Sequence, residues 1–181
     1  MQSSVYLSSL IEAAKACDTK QIDTAVDIIK TAVENGKTIF TCGNGGSAST
    51  ASHYVTDWGK MRLVNKGQPF KAYCLSDNIG MLTAYANDLS YEHIFDQSLE
   101  NYANKGDVLI LISGSGNSKN VVNAAMKAVE LGVTSIGIVG FDGGVLKTLC
   151  DHSVHFNVDD MQIAEDLHLS FGHIVMKAIC C

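Results

Sequence analysis

Along the chain the spacing of apolar residues changes repeatedly, and each change marks an element. From about residue 3 to 35 they recur three and four apart (Leu7, Leu10, Ile11, Ala14, then Ile22, Ala25, Val26, Ile29, Val33), which predicts a helical segment that Asn35-Gly36 stops. Beyond it, short runs rich in β-branched residues predict five strands at 38–42, 70–75, 108–112, 135–139 and 154–158. Helical patterns at about 47–58, 91–103, 118–131, 143–150 and 161–179 fill the crossovers. Strands alternating with helices predict an α/β fold, a doubly wound, three-layer, five-stranded parallel sheet at 36–181 with a long N-terminal helical segment at 1–35. Such sheets bind ligands at the carboxyl ends of their strands, so the loops after each strand are where chemistry is expected.

Composition narrows the picture. With 181 residues, 46% of them hydrophobic, the chain can bury one core, and 1–181 reads as a single domain. A formal net charge of −6, with Lys and Arg dispersed, argues against a nucleic-acid partner and leaves room for a small anion bound locally. No apolar run is long enough to span a bilayer, and the opening Met1-Gln-Ser-Ser has neither a basic nor an apolar leader region, so a cytoplasmic protein without a membrane partner is expected. Cys17, Cys42, Cys74, Cys150, Cys180 and Cys181 show no C-x-x-C spacing and read as reduced thiols, with the role of Cys180 and Cys181 unassigned.

Two loops carry the candidate chemistry. The first strand runs into Gly43-Asn-Gly-Gly-Ser-Ala-Ser-Thr50 and the third into Ser113-Gly-Ser-Gly-Asn-Ser118, each just before a helix. A helix N-terminus presents unpaired N–H groups and partial positive charge, so an anion is its natural occupant. Capping with Ser47 would explain the first loop alone, but three hydroxyls around two glycines in the second exceed what a cap needs and point to phosphate. Neither loop has the spacing of a triphosphate or dinucleotide fingerprint.

With Cys-Gly-Asn-Gly-Gly-Ser at 42–47, Ser-Asp at 76–77, Asn-Asp at 87–88 and Ser-Gly-Ser-Gly-Asn-Ser at 113–118, the chain resembles the SIS-domain phosphoheptose isomerases over nearly its whole length. The resemblance implies a SIS, flavodoxin-like sheet and a homotetramer with active sites at subunit interfaces, one zinc ion in each. The implied reaction converts sedoheptulose 7-phosphate to D-glycero-D-manno-heptose 7-phosphate, the entry to heptose for lipopolysaccharide or capsule. Carried over by position, Ser47, Ser113, Ser115 and Ser118 hold the phosphate. Asn44, Gly45, Gly46, Asn87, Asp88, Gly114 and Glu165 complete the substrate set, and His53, Asp57, Glu165 and His173 form the metal site. Three positions depart from the family: Asp57 stands for its catalytic glutamate, Glu165 for its glutamine ligand and Gly114 for a threonine. An aspartate one methylene short displaces the base by roughly 1 to 1.5 Å, a shift on the scale that costs 10²-fold.

The residues allow this chemistry. His53 and Asp57, four apart, share one helix face. Glu165 and His173, eight apart, lie about 80° and about 12 Å from each other on a regular helix, so either Glu165 sits in an irregular first turn or the two serve sites in different subunits. His168, three after Glu165, is the rival ligand. Isomerisation needs a base, an acid and an electrophile, roles that Asp57, His173 and zinc would fill, with those of Asp57 and His173 exchangeable. Two histidines and two carboxylates also suit manganese, iron or nickel. Trp58, Lys60, Arg62 and Gln162 stand as open positions for contacts to the sugar's middle hydroxyls. The alternatives are an isomerase of another sugar phosphate and a non-catalytic SIS module that binds sugar phosphates or serves assembly.

Overall fold

The computed structural model describes residues 2–64 and 69–180; Cys181 lies outside them. Five strands, β1 (Ile39–Gly43), β2 (Ala72–Cys74), β3 (Val108–Ser113), β4 (Thr134–Val139) and β5 (His152–His155), form one sheet in the order β2-β1-β3-β4-β5. Every pairing is parallel, with Ile39 opposite Val108, Val108 opposite Thr134 and Ile136 opposite His152. The three-layer, doubly wound expectation is met, and strand alternation explains it. Ile39, Ile110, Ile112, Ile136 and Ile138 point into one core layer, while Phe40, Cys42, Leu109, Leu111 and Val139 point into the other.

Helices α1 (Ser3–Lys15), α2 (Thr19–Glu34), α3 (Gly46–Val64) and α8 (Met161–Cys180) serve the first layer. Helices α4 (Ile79–Asp88), α5 (Ile94–Tyr102), α6 (Lys119–Leu131) and the short α7 (Leu146–Leu149) serve the second, with a 3-10 turn at Tyr91–His93.

Several elements differ from the sequence reading. The N-terminal segment is two helices, because Asp18 takes extended backbone and its carboxylate accepts from the Lys20 N–H, capping a new start. Helix α4, ten residues long and with no fully buried residue, is absent from the sequence reading. The last strand ends at His155 rather than 158, and the helix expected at 143–150 shrinks to four residues, with Gly143 and Gly144 at φ +90° and +51°. The five described cysteines are free thiols, and among the described residues no helix is long and apolar enough to cross a membrane.

Candidate active site

A serine-lined pocket is built where β1 and β3 end. Gly43 exchanges hydrogen bonds with Ser76, its N–H donating to Oγ at 3.3 Å and its C=O accepting from Oγ at 3.0 Å. A Cβ on Gly43 would stand 2.8 Å from the backbone of Ser47, so only glycine lets the chain turn this tightly into α3. Ser47 is thus inside the first turn of α3 rather than capping it, and is buried. In the second loop Gly116, at φ +65°, folds its N–H back to Ser113 Oγ at 3.2 Å, and Ser113 Oγ lies 3.4 Å from Ser118 Oγ. Ser118 occupies the N-cap position of α6, yet its side chain makes no capping bond.

Asn44, Ser47, Ser113, Gly114, Ser115, Ser118 and Glu165 converge on a pocket of about 140 Å³ that Ile112 and Met161 complete. That is below the roughly 300–1,000 Å³ of pockets enclosing whole small molecules, and suits an anionic head group. Gly114 has no side chain because Met161 occupies the place: a Cβ there would meet its sulfur at 2.6 Å. Glu165 reaches the start of α3, where a Cβ on Gly46 would stand 2.6 Å from its Oε1. Asn44 is held by a reciprocal amide pair with buried Asn120, 2.9 Å each way, and accepts from Tyr91 Oη at 2.7 Å. Sequence reasoning missed Asn120 and Tyr91, since nothing local ties residues 76 and 47 positions away to Asn44. Asn87 and Asp88 end α4, exposed, bonded to each other at 2.7 Å and outside the pocket's lining.

The second group lies further along α3 and α8, which run in the same direction. His53 Nε2 is 3.3 Å from His173 Nε2 and 3.1 Å from Asp57 Oδ2, and His173 Nε2 is 3.8 Å from the same oxygen. Among the described residues these three form the group able to converge on one metal ion. Two nitrogens about 2.0 to 2.1 Å from a tetrahedral ion stand about 3.3 Å apart, and an N₂O donor set suits zinc, so the residues fit the metal.

Glu165 does not belong to this group within one chain. Helix α8 is continuous from Met161, capped by Asp160 accepting from the Gln162 and Ile163 N–H groups, so the irregular-turn explanation is overturned. His168 is corrected as well. It is fully buried beside Phe156, neither ring nitrogen makes a hydrogen bond, and burial pushes its pKa down to about 4. Trp58 is fully buried and cannot touch a sugar, and Arg62 donates to the Ile179 carbonyl. Helix α3 turns these two toward α8 instead. His93 pairs with Asp96, and His152 and His155 bond backbone carbonyls, as ordinary structural histidines do.

Comparison with known proteins identifies the family of the fold. A family model for the SIS domain matches residues 5–140. Phosphoheptose isomerase of Clostridium acetobutylicum is 41% identical over 161 residues, 88% of this chain and 81% of that protein. Phosphoheptose isomerase GmhA from Neisseria gonorrhoeae superposes with a TM-score of 0.90 at 26% identity, over 97% of this chain and 95% of that one. A phosphoheptose isomerase from Francisella tularensis superposes with a TM-score of 0.92 at 26% identity, over 99% of each. With matched coverage from end to end, the chain belongs to the SIS-domain family and, within it, to the phosphoheptose isomerases, a family of sugar-phosphate isomerases.

Proposed function

We propose that the protein interconverts sedoheptulose 7-phosphate and D-glycero-D-manno-heptose 7-phosphate, supplying heptose for surface polysaccharide, with one zinc ion per active site. The observation that carries this reading is the convergence on one point of His53 and Asp57, from the helix that opens with the glycine loop, and His173, from α8. A sugar-phosphate-binding module would have no use for that group, which weighs against the non-catalytic alternative.

Ser47, Ser113, Ser115 and Ser118 bind the phosphate through hydroxyls and the adjoining N–H groups, and Asn44, oriented by Asn120, addresses the sugar. Asp57 turns Oδ2 toward both histidines, which leaves Oδ1 to take a proton from C1 or C2 and return it to the other carbon. His173 serves either as the acid that exchanges the hydroxyl proton or, through Nε2, as a ligand of the metal, and the acid and base roles of Asp57 and His173 are exchangeable. Bound zinc supplies an electrophile that polarises the carbonyl.

The pocket is too small for the whole substrate, and Glu165 stands with it rather than with the histidines. Both facts support a site shared between subunits of a homotetramer, the phosphate held by one chain and the His–Asp group supplied by another. Exposed apolar side chains on α1 (Val5, Leu7, Ile11) and around α4 (Ile79, Leu89) are available to such contacts.

The deciding experiment is isomerisation of sedoheptulose 7-phosphate by the purified protein, before and after zinc is stripped and restored, with metal content measured in parallel. Zinc-dependent turnover is expected. Absence of turnover at full zinc occupancy would redirect the search to another sugar phosphate.

A further inference from the structure

Helices α3 and α8 are joined by buried side-chain-to-backbone hydrogen bonds. Tyr54 donates its hydroxyl to the His168 carbonyl, and Trp58 Nε1–H donates to the Gly172 carbonyl at 2.9 Å. Both acceptors lie inside α8, and both donors are fully buried, their rings stacked at 4.9 Å between centroids. Apolar packing alone tolerates sliding, because one aliphatic contact can replace another. A slip of α8 by one residue would instead leave two buried donors without acceptors, at roughly 1 to 3 kcal/mol each.

The spacing of these bonds matches the spacing of the metal-binding group. Tyr54 follows His53, Trp58 follows Asp57, and Gly172 precedes His173. Each of the three converging residues is the chain neighbour of a residue in the cross-helix bonds. Gly172 adds a second constraint, since a Cβ there would stand 2.2 Å from the Tyr54 ring. Restoring ordinary contact at about 3.5 Å would push the helices roughly 1.3 Å apart, whereas metal–ligand distances tolerate about 0.2 Å.

We infer that Tyr54, Trp58 and Gly172 are positioning residues: they set the register and separation of α3 and α8 that bring His53, Asp57 and His173 to one ion. This rests on the metal reading above, and its test measures metal binding rather than turnover. Zinc affinity is determined by chelator competition on the folded, metal-stripped protein and on Tyr54→Phe, Trp58→Phe and Gly172→Ala, with inorganic phosphate binding followed in parallel. Each variant should lose roughly ten- to a hundredfold in zinc affinity, the range seen when groups supporting metal ligands are removed, while phosphate affinity stays within about twofold. Phe171→Leu, a buried change in the same layer with no polar bond to lose, separates positioning from general destabilisation and should leave zinc affinity within about twofold. Should Gly172→Ala fail to fold, Tyr54→Phe, which removes only the hydroxyl, and Trp58→Phe decide. Unchanged zinc affinity in Tyr54→Phe and Trp58→Phe, or an equal loss in Phe171→Leu, overturns the inference and leaves the metal reading standing. A parent protein that binds no zinc overturns both.

Discussion

The anion pocket and the His–Asp–His group share two helices but are assembled in opposite ways. The pocket is made of loops whose shape follows from local residues: Gly43 allows a 2.8 Å approach to Ser47, Gly116 takes positive φ, and the serines follow within a few positions. The His–Asp–His group has no local cause beyond the i, i+4 relation of His53 and Asp57. Its third member is 120 residues from the first, and arrives only because α3 packs on α8 in one register. A site of the first kind should tolerate change in the core and fail through its own residues, whereas one of the second kind should fail through packing as well.

Predictions that test this contrast can be ordered by size. Replacing Asp57 by Asn removes the base and should lower kcat by about 10³-fold, with phosphate binding intact; unchanged turnover removes Asp57 from the mechanism. Next comes acid stability, on which both sites depend through α8. His168 ionises at about 4 in the folded protein against the ordinary 6.5, so the unfolded chain takes up its proton first as pH falls. The contribution is fully present above pH 6.5 and is lost between 6.5 and 4, a loss of roughly 3 kcal/mol. Denaturant titrations across that window should show His168→Leu with a flatter acid limb than the parent, and parallel curves would refute the assignment.

Replacing Ser115 and Ser118 together by Ala should raise KM about 100-fold, as expected for two hydrogen bonds to a charged group, and leave zinc affinity unaltered. An unmoved KM would make the second loop a mere turn. The smallest effect is expected from Glu165→Gln. Its carboxylate stands in the anion pocket, so removing the charge should tighten phosphate binding about tenfold, while zinc affinity of the isolated chain should not respond. Zinc affinity falling as steeply as phosphate affinity rises would show that one group serves both regions. Mixing a Ser115/Ser118 variant with Asp57→Asn sharpens the same contrast: regained turnover in mixed oligomers is expected if the two regions meet across a subunit boundary, and none if they act within one chain.

Much was legible beforehand. The strands at 38–42, 108–112 and 135–139 were readable because a sheet covered on both faces needs unbroken β-branched runs, and both serine loops were readable because glycine and hydroxyl residues have few other uses after a strand. Helix α4 was not: it is only ten residues long, too short for its apolar spacing to stand out. Asn120 and Tyr91 were not, because their contact with Asn44 is made across the fold. Trp58 was read as a candidate substrate contact and proved to be an inter-helix donor, which its sequence neighbourhood does not reveal.

By itself, then, the sequence determined the order of the strands, the two glycine–serine turns and the pairing of His53 with Asp57, all of which are properties of residues within about one turn or loop of one another. His173 was already the choice by resemblance; tertiary structure alone decided that His168 is buried away from them and that Glu165 faces the serine pocket. The physical reason is the register of α3 on α8, where the Tyr54 and Trp58 donors and the bare backbone of Gly172 select one alignment.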